Sequence, residues 1–404
     1  MIMDVNRLPT SLLDLLSNNI ILRQISPYIP IKTLLALSAS SKVYRSLLQG
    51  SREAFEYLDL SCVKSASAVL DTSPIDTGGI RWRAERMDEA LTEDEFYCGP
   101  LRGIFSRLRQ QHILAHVHTL VLDGLSVPAD LVREIIAEDR FNVRLLSIRD
   151  CKHLNESKLN QVLRYAVRPS RPQGTPKLRG LYIFGHKDVS ASSRKSASIA
   201  NSVQSTENST GIMGSEGAQI GAAWNERSSQ TLSSSMGLPE DKFYRSMGRV
   251  VRRLLSEWTE TMLACQGVIA FDAVLCRGPR HDPAIGKGAY LPPTIATVAL
   301  GPGGCETCGS CPEGPAVFGK DQEICFPLLG PPPIHSSTVK EAQRPATDPV
   351  AARSPLILRC EDCLRGRWCE RCNKWWCEDC YRDPVSRAQP VSYTHLTLPT
   401  KRIV

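Results

Sequence analysis

Residues 118–166 read "HTLVLDGLSVPADLVREIIAEDRFNVRLLSIRDCKHLNESKLNQVLRYA", and one design occurs twice within them. In each half a short run of alternating apolar residues, Leu120 and Leu122 and then Leu146 and Ile148, predicts a strand. A polar turn follows, and then apolar residues at helical spacing, Leu131 and Ile135 in the first half, Leu159 and Leu163 in the second, predict a helix. Leu122 and Ile148 stand 26 residues apart, a period found in architectures where each β-α unit buries its helix against its neighbours' strands. "LRGLYIFG" (178–185) begins a third unit after the insertion "RPSRPQGTP". The same residues also suit an ordinary α/β layer with two similar β-α units.

Upstream, residues 1–60 are rich in Leu, Ile and Ser at helical spacing. In "NNIILRQISPYIPIKTLLALSASSKVYRSLLQ" (18–49) Ile21, Leu22 and Ile25 form one amphipathic run, which Pro27 and Pro30 break. Leu34, Leu35, Leu37 and Ser38 begin another that ends near Tyr44 and Arg45, so the segment reads as small helices with prolines at the joints.

Downstream, residues 186–240 are Ser-rich, with fourteen serines between 186 and 238 and almost no aromatic residues, and are expected to be a flexible insertion. Phe243, Met247, Val250, Val251, Leu254, Leu255, Trp258 and Met262 predict one helix of about twenty residues. "GVIAFDAVLC" (267–276) and "TIATVAL" (294–300) are strand candidates, so 241–300 reads as a continuation of the α/β region. Residues 391–404, "VSYTHLTLPTKRIV", break abruptly from what precedes them and look like a non-native tail.

Ten of the fifteen cysteines lie between Cys305 and Cys380, within a module expected to span 301–385. "RCEDCLRGRWCERCNKWWCEDCYRD" (359–383) alone holds six cysteines, three tryptophans and a tyrosine. A C-x-x-C turn puts two thiolates on one ion, and a structural Zn²⁺ takes four ligands in a tetrahedron. The pairs Cys360/Cys363, Cys369/Cys372 and Cys377/Cys380 therefore supply one and a half sites. The missing half is available in "CETCGSC", as Cys305/Cys308 or Cys308/Cys311, with Cys325 in reserve. Two assignments satisfy two structural Zn²⁺ ions. One interleaves the pairs, joining Cys360/Cys363 to Cys377/Cys380 and Cys369/Cys372 to Cys305/Cys308. The other joins neighbouring pairs, where loops of four or five residues leave little room to close both tetrahedra, so the interleaved one is favoured. The scattered Cys62, Cys98, Cys151, Cys265 and Cys276 read as buried structural thiols, and His281 and His335 as loop residues.

An all-thiolate site keeps no open position for water, which argues against hydrolytic metal catalysis and for a folding role. Residues 359–383 balance six Lys/Arg against six Asp/Glu, so nothing there draws phosphates. Trp368, Trp375, Trp376 and Tyr381 are expected to be the module's core. A RING-like module usually has a histidine ligand, and none lies between His335 and His395. No H-E-x-x-H, G-x-S-x-G or G-x-x-x-x-G-K-[ST] occurs, and "GPGG" (301–304) stands beside a cysteine pair rather than before a phosphate-binding helix. At 404 residues, 42% hydrophobic, 23% charged and with net charge +7, the chain has the balance of an intracellular globular protein of several domains. No run of eighteen apolar residues and no signal-peptide pattern occurs, and a cytoplasmic or nuclear location is expected.

The N-terminal pattern resembles the F-box, the helical motif by which substrate receptors dock on the Skp adaptor of SCF-type cullin ubiquitin ligases. The matching positions are the Ile20–Ile25 helix, the Pro30 turn, "LLALS" and "SSKVYR". Leu8-Pro9 stands about ten residues before Ile20 rather than beside it, and Tyr44 occupies the place of the family's usual Trp. The resemblance implies that Ile21, Ile25, Pro30, Leu34, Leu35, Leu37 and Tyr44 bind the adaptor. The 26-residue units resemble leucine-rich repeats, whose exposed strand face forms a concave docking surface and in F-box proteins commonly holds the substrate. The whole pattern resembles F-box proteins of filamentous fungi with a Cys- and Trp-rich C-terminal region. The expected fold is thus α/β multi-domain: an F-box-like module at 1–60, a short leucine-rich-repeat-like region at 61–185, and a zinc-bound C-terminal module. The expected function is that of a non-catalytic ligase receptor for an unidentified protein target. The alternative is a zinc-dependent nuclear, chromatin-binding or RING-like interaction protein.

Overall fold

The computed structural model describes residues 11–66, 93–187, 248–249, 257–281, 290–300, 304–309, 328, 330–334, 338–343, 357–377 and 379–381. The Ser-rich insertion at 188–240, the tail at 391–404, Cys311, Cys325 and most of the apolar positions between 241 and 256 lie outside these residues. The elements are, in chain order, helices α1 (Leu12–Ser17), α2 (Asn19–Ile25), α3 (Ile31–Ser40) and α4 (Lys42–Gly50), strand β1 (Tyr57–Asp59), helix α5 (Glu93–Gln110), β2 (Thr119–Val121), α6 (Ala129–Ala137), β3 (Leu145–Ser147), α7 (Glu156–Ala166) and β4 (Gly180–Tyr182). There follow β5 (Gly248–Arg249), α8 (Glu257–Cys265), β6 (Ala270–Phe271), β7 (Val298–Leu300), the short α9 (Val339–Ala342), β8 (Ile357–Arg359), β9 (Trp368–Cys369) and β10 (Lys374–Trp375). Two compact units divide the chain: Met1–Arg245 with Val251–Leu275 and Phe318–Arg353, and Ser246–Val250 with Cys276–Val317 and Ser354–Val404. No described helix is long and apolar enough to cross a membrane.

In the first unit the N-terminal helices start where side chains can satisfy their free N–H groups. Ser11 and Asp14 form a reciprocal capping box on α1, Asn18 caps α2 and Ser41 caps α4. Each of the four helices buries one leucine, Leu16, Leu22, Leu34 and Leu48 respectively.

The strands β1, β2, β3, β4 and β6 form a parallel sheet in that order. Their register stacks Leu58, Leu120, Leu146, Leu181 and Phe271 side by side in one apolar ladder, all at most 4% exposed. The equivalent residues of β2 and β3 are 26 positions apart, as the sequence period predicts, and α6 and α7 cross between the strands, burying Leu131, Ile135, Leu159 and Leu163. At the strands' C-terminal ends, Asp123 receives hydrogen bonds from Ser147 Oγ (2.6 Å) and Arg149 Nη2 (2.6 Å), a buried network that links the β2–α6 segment to the β3–α7 segment.

Three expectations change here. The strand face is not an open concave surface, because every residue of β2, β3 and β4 is buried. Leu328, Ala342 and Val339 pack against Leu145, Tyr182 and Ala270. Gly180 makes room for this cover, since a Cβ there would meet Leu145 Cδ2 at 2.4 Å and Leu328 Cδ1 at 3.2 Å. Second, the helix predicted from Phe243 is described only as α8 from Glu257; Gly248 and Arg249 are extended and pair with Ala299 and Val298. Trp258 and Met262 are buried in it, with Trp258 Nε1 donating to Glu156 Oε2 at 2.8 Å. Third, residues 241–300 do not all continue the parallel sheet: β7 joins β5 and β8 in an antiparallel sheet of the second unit. A strand whose two edges are taken by antiparallel partners has no edge left to extend the parallel sheet.

The second unit is built on that antiparallel sheet and on the β9–β10 hairpin. Val298, Leu300, Ile357, Leu364 and Trp375 are its buried apolar core, with Trp368 and Trp376 packed partly against them.

Candidate metal centres

Two clusters of ligand side chains lie in the second unit, each with its donor atoms within 4.8 Å of one another: Cys276, His281, Cys360 and Cys363, and Cys305, Cys308, Cys377 and Cys380. Tetrahedral thiolates around a Zn–S bond of about 2.3 Å would sit about 3.8 Å apart. Cys308 and Cys377 Sγ lie 3.9 Å apart.

In the first cluster, Cys276 and Cys360 begin turns whose backbone N–H groups face sulfur. Gly278 N donates to Cys276 Sγ (3.4 Å), Cys360 N to the same sulfur (3.2 Å), and Cys363 N to Cys360 Sγ (3.3 Å). A Cβ on Gly278 would stand 2.5 Å from Cys363 Sγ, so the turn requires glycine for space. The one-turn 3₁₀ helix Pro279–His281 delivers the imidazole, whose Nε2 lies 3.2 Å from Cys360 Sγ. Nδ1 is 3.1 Å from the Leu291 carbonyl, which fixes the proton on Nδ1 and leaves Nε2 as the lone-pair donor, the usual outer-shell arrangement of a metal-bound histidine. Hydrogen bonds from the Cys360 and Cys363 thiols hold Cys276 well below the usual thiol range, while the same contacts with Cys276 push Cys360 and Cys363 up. Thiols that compete this closely for protons resolve the competition when a cation replaces the protons.

The second cluster joins a C-x-x-C turn at 305–308 to another at 377–380. Cys377 N donates to Cys305 Sγ at 3.3 Å, Glu306 N to the Trp375 carbonyl at 2.9 Å, and Lys374 pairs with Glu306. Burial works against the Cys305 thiolate, but backbone N–H groups of Cys377, Cys308 and Thr307 bring it down to about 6.

The grouping differs from the interleaved assignment expected from sequence. Cys377/Cys380 go to Cys305/Cys308, and Cys360/Cys363 go to Cys276 and His281. Cys369/Cys372 join neither cluster. The physical reason is β-sheet register. Pairing of β7 with β8 brings the chain entering at Cys276 beside Cys360, and Glu306–Trp375 pairing brings Cys305 beside Cys377. Cys276 is buried, as expected of it, but it belongs to a cluster that could hold a metal ion, and the loop residue His281 joins the same cluster. The "CRGPRH" stretch carried the only sequence signal, a Cys and a His five positions apart around Gly and Pro. Of the other scattered thiols, Cys98 and Cys265 are buried and Cys151 partly so, with burial pushing Cys151 and Cys265 up to about 12; Cys62 is exposed, contrary to expectation. No disulfide occurs among the described cysteines.

The residues implied in adaptor binding are spread over α2, α3 and α4. Ile21, Ile25, Leu35, Leu37 and Tyr44 are half-buried and Pro30 is exposed, whereas Leu34 is interior. The largest exposed apolar side chains of this module are instead Leu12, Ile20, Tyr28 and Val43, and Ile20, Ile25 and Tyr28 line one open groove with Arg23 and Gln24. No protein-family model matches this chain, and the comparison with curated proteins gave no match.

Proposed function

We propose that this protein is a substrate receptor of a cullin-type ubiquitin ligase, docking on a Skp adaptor through residues 12–50 and holding a protein target with the rest of the chain. The observation that carries this reading is the exposed apolar set of the N-terminal helices. Four of the eight large apolar side chains most exposed among the described residues, Leu12, Ile20, Tyr28 and Val43, fall within the 32 positions from 12 to 43. Apolar side chains concentrated on one small helical module favour a partner surface. The β-α units at a 26-residue spacing that follow it support the leucine-rich-repeat-like reading.

The target would be held at the sheet's N-terminal rim rather than on its covered face. A cleft of about 540 Å³ there is lined by Asn142, Arg144, Lys177, Arg179 and Thr338. Two structural Zn²⁺ ions would bind the Cys/His clusters, bracing the second unit and supplying no chemistry. Ubiquitin transfer then depends on the target's raised effective concentration at the charged enzyme. The receptor reading is tested by co-purifying the full chain with the adaptor. Ile20→Asp with Tyr28→Asp should reduce adaptor recovery at least tenfold; a wild-type chain that recovers no adaptor overturns the reading.

A second reading has its own support. In chain order the four ligand pairs alternate between the two clusters, first with third and second with fourth, and one cluster includes a histidine. That cross-braced order resembles a RING-like arrangement, with His281 as its histidine ligand. Chain formation on ubiquitin in a reconstituted reaction with a charged conjugating enzyme and no cullin would favour this reading over the first.

A further inference from the structure

The residues that precede the strands of the parallel sheet stand in one row along its N-terminal rim. One step before the paired Tyr57, Thr119, Leu145, Gly180 and Ala270 come Glu56, His118, Arg144, Arg179 and Ile269. The backbone fixes the row. His118 N donates to the Glu56 carbonyl (2.9 Å), Arg144 N to that of His118 (2.7 Å), Arg179 N to that of Arg144 (2.7 Å) and Ala270 N to that of Arg179 (2.8 Å). Charge is therefore ordered across the sheet. Glu56 lies against His118 at 4.0 Å at one end, and two arginines stand side by side just ahead of β3 and β4.

Like charges on adjacent strands repel. Arg144 and Arg179 are exposed, and neither side chain makes a hydrogen bond or ion pair among the described residues. Arg144 acts on Glu56 and His118 only through space. Half-buried Lys177 adds a third cation, whose Nζ donates to the Asp139 and Phe141 carbonyls at 3.3 and 3.0 Å, contacts that leave its charge unneutralised. All three line the cleft of about 540 Å³ at this rim, and among the described residues no carboxylate lines it. Half-buried Val268 and Val339 supply an aliphatic part of its wall. A cleft walled by one sign of charge concentrates groups of the other.

We propose that this cleft binds an acidic peptide segment, with adjacent carboxylates on Arg144, Arg179 and Lys177 and an apolar side chain of the segment against Val268 and Val339. That the segment belongs to a target rests on the receptor reading; its charge follows from the cleft alone. Two guanidinium groups on neighbouring strands present planar donor pairs that match carboxylates, and the Lys177 ammonium adds a point charge beside them. No aromatic side chain lines the cleft among the described residues to stack a base, whereas its aliphatic wall suits a peptide side chain. A peptide is therefore favoured over single-stranded nucleic acid.

The test is fluorescence anisotropy of the full chain at low salt, with a labelled peptide whose core is Glu-Asp-Leu-Asp-Glu and with its Gln-Asn-Leu-Asn-Gln counterpart. The acidic peptide should bind about tenfold more tightly or better, and Arg144→Ala with Arg179→Ala should remove about that factor. Lys152→Ala with Lys158→Ala, which takes the same charge from elsewhere in the unit, should leave the affinity within about twofold. Raising the salt on the wild type gives a readout independent of any variant, since affinity should fall as the charges are screened. Equal binding of the two peptides, an affinity indifferent to salt, or equal losses in the two double variants overturns the proposal. A short labelled single-stranded DNA that binds more tightly than the acidic peptide through the same two arginines also overturns it, by assigning the cleft to nucleic acid. Adaptor recovery by Arg144→Ala with Arg179→Ala should equal the wild type's, so the cleft can fail while adaptor docking stands, and peptide binding remains measurable if no adaptor is recovered.

Discussion

The two units of this chain reach a stable interior by different means. The parallel-sheet unit stacks Leu58, Leu120, Leu146, Leu181 and Phe271 across five strands and packs Leu328 and Ala342 against Leu145 and Tyr182, so its interior is mainly apolar. The second unit has a core of a few apolar side chains and converges eight donor residues in two clusters beside it. A small core with clustered thiolates is the condition under which metal binding becomes folding free energy. The comparison teaches that the cysteine-rich end gathers its interior around clustered donors that could hold metal ions, where the sheet unit gathers its own around leucines.

The comparison breaks most sharply under chelation. Stripping metal from the full chain should unfold residues 357–377 while leaving 119–182 protected, because structural zinc contributes on the order of 10–16 kcal/mol in small domains. Hydrogen exchange before and after chelation reads this directly, and equal loss of protection in both units would remove the contrast. Truncating the apolar ladder is the mirror experiment. Leu146→Ala should destabilise the first unit by about 2–5 kcal/mol in urea, with zinc content unchanged.

A smaller effect comes from Asp272, which is fully buried and receives the N–H groups of Ile183, Phe184 and Gly185. Burial outweighs these donors and raises its carboxyl to about 6 from 3.8. A carboxyl raised in the folded state binds its proton more tightly there, so the stability it contributes is full below about 3.8 and is lost as pH rises to about 6. The loss is about 3 kcal/mol. Asp272→Asn should therefore flatten the wild type's decline in urea midpoint between pH 4 and 6.5, and an unchanged slope would show that another group titrates. The mildest test is Gly278→Ala, whose Cβ would press on Cys363 Sγ. Zinc competition should show the affinity of the Cys276 cluster reduced about 10–100-fold, with the Cys305 cluster unaffected.

Much of the first unit was legible in order. Leucines alternating at 120/122 and 146/148 mark strands because every second side chain faces one side, and the 26-residue spacing follows from one β-α unit per crossover. The cover over the sheet was not legible: Leu328 lies 146 positions beyond Tyr182, and nothing local to either signals the contact. Leu34 illustrates the same limit, since periodicity places it on an apolar face without saying whether that face meets the module's interior or a partner.

The metal module divides along the same line. The sequence by itself determined that thiolates come in turns, because a C-x-x-C pair on one ion is a property of four consecutive residues. It could not determine which turns share an ion, because that is a contact between segments up to 84 residues apart, Cys276 and Cys360, brought together by strand pairing. Tertiary structure decided the partners, bringing Cys276 and His281 into one cluster and leaving Cys369 and Cys372 outside both. The physical reason is that a turn's geometry is stored locally in φ/ψ preference, whereas a tetrahedron needs four donors within a few ångströms, and only the folded chain brings them there.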